Sequence, residues 1–185
     1  MKDNLTDILN KDCLFSTKRV SIENWNHIES EYNFKDLTES VLEIMTLAVT
    51  RSLPDGWQDL NTHKKAENWI NDRKRDSYFY VIRFVETKKI IGFLFLYTEN
   101  ERNKTFNLRL GYLLEESTWR IGIGSELING LIKWGKNTNV INSISGGVEE
   151  DNTASINVLL KNDFHKSIDY EMPKGTLLYK IDLKK

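Results

Sequence analysis

Two hydrophobic periodicities meet between Phe106 and Glu126. Phe106, Leu108, Leu110, Tyr112 and Leu114 hold alternate positions, the spacing of a strand with one face in a core. Beyond them Ile123, Leu127, Ile128, Leu131 and Trp134 recur at helical spacing, so the period changes across Glu115 to Gly124 and predicts a strand, a loop and a helix start. Gly122 and Gly124 lack a Cβ and leave the main chain open to a ligand. The first N–H groups of the helix have no intrahelical partner and carry partial positive charge. An anion, above all a phosphate, suits that position.

The same reading extends along the chain. Met1 to Lys11 is polar with a Leu5, Ile8, Leu9 patch and reads as a short helix or a frayed terminus. Cys13 to Ile22 predicts a strand, Trp25 to Tyr32 a turn or short helix, and Leu37 to Leu53 one helix stopped before Pro54. Pro54 to Trp57 is a loop, and Thr62 caps a helix running to Arg73. Tyr78 to Val85 and Ile90 to Tyr97 predict a hairpin, and Thr105 to Leu114 a third antiparallel strand. A helix Gly122 to Lys136, a strand Asn142 to Gly147 and a helix Thr153 to Asn162 follow. Strands near His165 to Glu171 and Thr176 to Leu183 close the chain. Antiparallel pairs early and a strand, helix, strand unit in the middle predict an α/β (α+β) class with a mixed sheet, as one domain over residues 1–185.

Composition narrows the partners. The 185 residues carry 26 Lys and Arg against 27 Asp and Glu, a net charge of −1, so no global basic field recommends nucleic acid or a membrane surface. One cysteine, Cys13, excludes an intramolecular disulfide, and His27, His63 and His165 lie too far apart in sequence to suggest a metal site. The amino-terminal stretch lacks the apolar segment of a signal peptide and no stretch has the length of a membrane span, so a cytoplasmic location is expected.

The glycine turn fits neither familiar nucleotide pattern. No Lys-Ser or Lys-Thr follows it, as a P-loop requires, and Leu127 stands where a dinucleotide fingerprint has its third glycine. Trp119-Arg120-Ile121-Gly122-Ile123-Gly124 instead resembles the Q/R-x-x-G-x-G/A motif of the GNAT N-acetyltransferases. Trp119 departs from that consensus. It is similar to the branch containing the ribosomal-protein alanine acetyltransferases, as is Gly111-Tyr112-Leu113-Leu114 ahead of it. Asn152 to Phe164 resembles the same branch's N-x-x-S-x-x-V/L-x-x-K/R-N-G-F helix, with Asp163 in place of glycine.

The resemblance implies a three-layer sandwich with a splayed, mostly antiparallel sheet, helices on both faces, and acetyl-CoA as cosubstrate without a metal. It implies that the main chain of Arg120, Ile121, Gly122, Ile123, Gly124 and Ser125 holds the pyrophosphate, and that Leu113 and Leu114 pair with pantetheine. Asn152 and Lys161 would touch pantetheine or phosphates, or serve as an N-cap and an exposed helix residue. Ser155 is implied as the acid for the leaving thiolate, since Leu159 stands where many relatives have a tyrosine. Glu171 is implied as the base, with Glu99 and Glu115 as competing carboxylates. Trp57 and Tyr170 are liners of the acceptor site or ordinary anchors. The acceptor is a protein N-terminus or a small-molecule amine, and homodimers are common in the family. Two other readings are a non-catalytic CoA-binding regulatory module and a nucleotide-binding protein.

Overall fold

The computed structural model describes residues 5–54, 56–102, 105–168 and 172–184. The elements in chain order are α1 (Leu5–Leu9), β1 (Cys13–Ser16), β2 (Val20–Asn24), α2 (Trp25–Glu31), α3 (Phe34–Ile44), α4 (Leu47–Thr50) and α5 (His63–Asp76). They continue with β3 (Tyr78–Phe84), β4 (Ile90–Arg102), β5 (Thr105–Leu114), α6 (Ile123–Thr138), β6 (Ile141–Glu149), α7 (Thr153–Lys161), β7 (His165–Ser167) and β8 (Thr176–Asp182). The strand order is β1-β2-β3-β4-β5-β6-β8-β7. This mixed sheet with helices agrees with the α/β class read from the sequence. The chain divides into two compact units, one of residues up to Phe95 with Tyr112–Ile121, the other of Leu96–Gly111 with Gly122 onward.

The first unit is organised on an aromatic cluster. Helix α5 turns Ala66, Trp69 and Ile70 inward. Trp25 stacks on Phe79 with ring centroids 4.5 Å apart, and Trp69 meets Phe79, Phe93 and Phe95 edge-on. Trp57 packs its edge against Trp69 and Phe95, and the Arg73 guanidinium lies 4.6 Å from its ring centroid. Trp57 is therefore an anchor of the loop after α4.

In the second unit α6 buries Ile123, Leu127, Ile128 and Leu131 of the stripe that the periodicity predicts and adds Ile132, while Trp134 is only half-buried. Gly135 continues that stripe because a Cβ there would stand 2.7 Å from the Leu183 side chain. β6 pairs antiparallel with β8 from Ser143↔Asp182 to Glu149↔Thr176. β5 runs parallel to β6, but their ladder spans only Phe106↔Ile141 to Arg109↔Ser145. From Leu110 onward β5 has no ladder partner in β6 among the described residues.

Three sequence expectations change in detail. The strand expected over Cys13 to Ile22 is a hairpin: the polar Thr17-Lys18-Arg19 closes a turn in which Thr17 N–H donates to Val20 O at 2.8 Å. The helix expected over Leu37 to Leu53 breaks after Ile44, because the Thr46 hydroxyl caps the Val49 N–H and starts α4 afresh. The strict alternation in β5 fails at its end, where Leu113 and Leu114 are both buried. Two adjacent buried residues mean that both faces of the strand are covered there, as in β3. There the Leu113 carbonyl lies so close to β4 that a Cβ on Gly92 would be 2.3 Å from it, so only glycine fits.

Candidate active site

The end of the first unit holds the loop taut. The Trp119 indole N–H donates to Leu114 O at 2.9 Å, which engages one lone pair of a carbonyl on the strand end. Glu115 N–H donates to Ile91 O at 2.7 Å, and a 3-10 turn at Glu116–Thr118 is closed by the Thr118 hydroxyl donating to Glu115 O. Thr46 bonds the Glu116 carboxylate. Arg19, in the β1–β2 turn, donates from Nη1 to Ile121 O at 2.9 Å. Between these anchors Arg120 sits at φ 62°, a left-handed conformation that costs a non-glycine residue about 1 kcal/mol. Arg120 is exposed, with no ion pair among the described residues.

At the start of the second unit Gly122 takes φ 84° and stands at the N-cap of α6 without any side-chain cap. Its carbonyl accepts from Glu126 N–H at 3.1 Å, which begins the helical ladder. The N–H groups of Ile123, Gly124 and Ser125 are thus left without a capping side chain, in a 16-residue helix whose dipole favours negative charge there. Ser125 lies in this first turn with its hydroxyl oxygen accepting from Asn162 Nδ2 at 3.1 Å.

Helix α7 is fixed at both ends. Asn152 is its N-cap and accepts from Ser155 N–H at 3.1 Å, so the carboxamide oxygen of Asn152 serves the helix. Ser155 is half-buried in the first turn, and its hydroxyl has no partner among the described residues. Lys161 ends the helix on an exposed position, where a cation complements the carbonyl end.

Asp163 answers the missing glycine of the sequence motif. It takes φ 64°, its N–H donates to Leu160 O, and Phe164 N–H donates to Leu159 O, the paired bonds of a Schellman cap with Leu159 and Phe164 buried together. Asp163→Gly is therefore expected to raise stability by about 0.5–1 kcal/mol. A urea midpoint that rises at unchanged slope is the expected reading; an unchanged or lower midpoint would mean the aspartate side chain contributes what its strained backbone costs.

Glu171 and Tyr170 lie outside the described residues. Glu99 pairs with Arg109 at 3.7 Å. Glu115 Oε1 accepts from Lys89 Nζ at 2.8 Å, while its other oxygen is buried without a hydrogen bond among the described residues. Among the described residues no group of three His, Cys, Asp or Glu is placed to hold a metal ion. Two contributors escaped the sequence reading. Arg19 carries no sequence signal for its reach to Ile121. Asn162 does carry one: it is a polar residue three positions after Leu159, on the buried side of an amphipathic helix.

A sequence model of the acetyltransferase (GNAT) domain matches residues 30–165. The chain belongs to the GNAT acetyltransferase family. A relative, an uncharacterised N-acetyltransferase named p20 from Bacillus licheniformis, is 35% identical over 99 residues, which are 50% of this chain and 53% of that protein. The match thus spans about half of that relative's length. Solved GNAT structures share the fold. An acetyltransferase of Bacillus anthracis superposes with a TM-score of 0.70 at 17% identity over 92% of this chain and 98% of that one. RimL, a ribosomal alpha-N-protein acetyltransferase in complex with coenzyme A, gives 0.69 at 18% identity over 92% and 97%. A microcin self-immunity acetyltransferase in complex with acetyl-CoA and AMP gives 0.70 at 16% identity over 95% and 98%. The GNAT assignment covers both glycines of the α6 start, the α7 N-cap and Ser155, all of which fall within residues 30–165.

Proposed function

We propose that this protein is an acetyl-CoA-dependent N-acetyltransferase that acetylates a primary amine, a protein N-terminus or a small-molecule amine, by direct attack on the thioester. The observation that carries the reading is the uncapped first turn of α6 behind left-handed Gly122, in a chain of the GNAT family. The residues present fit the cosubstrate: N–H groups on Ile123, Gly124 and Ser125 with no side-chain cap suit a pyrophosphate. The relatives solved with coenzyme A or acetyl-CoA support the same choice of ligand over ATP or NAD.

In this reading Leu114 offers main-chain groups to pantetheine as a strand would, whereas the Leu113 carbonyl lies against Gly92 of β4. Leu114 does so with one lone pair of its carbonyl, the other being held by Trp119. Lys161 faces a phosphate or solvent. Ser155 gives its hydroxyl proton to the departing thiolate as the new C–N bond forms and the C–S bond breaks, then regains a proton from solvent. Glu171 or water takes the proton lost by the attacking nitrogen. The carboxylates of Glu99 and Glu115 are each engaged by a cation, which favours neither as that base.

One observation favours a non-catalytic CoA-binding module. Leu159, at the place of the tyrosine acid in many relatives, is buried in the α7 cap and cannot donate a proton. Incubation with acetyl-CoA and a panel of amines separates the readings. An enzyme releases CoA thiol with at least one acceptor. For a peptide N-terminus kcat/KM should rise with pH only to about 8, the reference range of an α-amine, whereas a lysine-like amine would push the rise toward about 10.4. Binding of acetyl-CoA with no thiol release for any acceptor would favour the non-catalytic reading.

A further inference from the structure

We propose that Asn162 is a positioning residue that orients the Ser125 hydroxyl as a hydrogen-bond donor out of the first turn of α6 and onto the phosphates of the cofactor. The inference rests on the acetyl-CoA reading given above. Asn162 is buried, with 5% of its surface exposed, directly after the last turn of α7. Its Nδ2 donates to Val158 O at 2.8 Å. A carbonyl can only accept, so the group facing it is the NH₂ and the orientation of the carboxamide is settled by that bond. The same nitrogen reaches Ser125 Oγ at 3.1 Å, which makes the hydroxyl oxygen an acceptor of the second hydrogen.

The hydroxyl proton of Ser125 is thereby turned away from Asn162. A serine inside a helix commonly returns that proton to a carbonyl one turn back. Ser125 makes no such bond among the described residues. It is half-exposed and lies in the first turn of a helix whose N-cap, Gly122, supplies no side chain. A donor held in this direction adds to the row of first-turn N–H groups, and the Asn162 bond holds it there before the ligand arrives. Ser125 then contributes a directed hydrogen bond to a phosphate oxygen, and Asn162 acts only through it.

A double-mutant cycle read by calorimetric titration of CoA tests this, with melting temperatures recorded alongside. Ser125→Ala should weaken CoA binding about five- to ten-fold. Asn162→Leu, close in volume and uncharged, should cause a similar loss in the wild-type background and less than about a two-fold change in the Ser125→Ala background. If Asn162→Leu does not fold, Asn162→Ser, whose hydroxyl can still reach the Val158 carbonyl, replaces it in the cycle. Equal losses from the Asn162 change in both backgrounds would overturn the proposal and leave Asn162 a structural tie between α6 and α7. Full CoA affinity in a folded Ser125→Ala protein would overturn it while leaving the cofactor reading intact. A wild-type protein that does not bind CoA would remove both.

Discussion

Ser155→Ala is expected to lower turnover by roughly 10²- to 10⁴-fold at saturating acetyl-CoA, while acetyl-CoA affinity stays within about two-fold of wild type. The structure makes this substitution unusually clean. The bond that starts α7 runs from the main-chain N–H of Ser155 to the Asn152 side chain, and alanine keeps that N–H. Alanine is also the best helix former, so the helix gains where it changes at all. The hydroxyl removed has no partner among the described residues. A loss of rate with unchanged affinity and melting temperature would therefore report on the proton and not on packing. Wild-type turnover in the alanine variant, with chemistry shown to limit the rate, would take Ser155 out of the mechanism and leave water to protonate the thiolate.

The parts of this site that were legible in the sequence are those governed by local rules. The change of period at Glu115 to Gly124 located the α6 start, because a buried helix stripe and a buried strand face leave different spacings. Asn152 could be read as a cap from its place before Thr153, and Thr62 likewise before α5. Asp163 was less legible: its left-handed backbone is a place for glycine, and only the paired bonds of the cap show that aspartate accepts the conformation. Long-range contacts left no mark. Nothing in the order of residues announces that Arg19 holds Ile121, or that the buried Asn162 reaches Ser125 37 positions away. The break after Ile44 has no sign in the apolar pattern, because Ala48 and Val49 continue it past the Thr46 cap.

Gly122→Val is the second large expected effect. Gly122 has φ 84°, where a β-branched residue is strongly disfavoured, and it is the residue from which the open first turn of α6 departs. Valine there must either strain the backbone or pull Gly122 out of the left-handed region, and in both cases the N–H groups that follow lose their common direction. Losing one or two charge-assisted hydrogen bonds corresponds to roughly 10- to 100-fold in CoA affinity. The Trp119 and Arg19 anchors lie before the substituted position, and the α6 stripe lies after it, so the fold should survive.

Calorimetric titration of wild type and Gly122→Val with acetyl-CoA, ATP and NAD, on samples of matched circular dichroism, tests the central claim most directly. Wild type should bind acetyl-CoA in preference to the two nucleotides, and the variant should bind it roughly 10- to 100-fold more weakly. Preference for ATP or NAD in the wild type, or undiminished acetyl-CoA affinity in the folded variant, would contradict the placement of the cofactor's pyrophosphate on the first turn of α6.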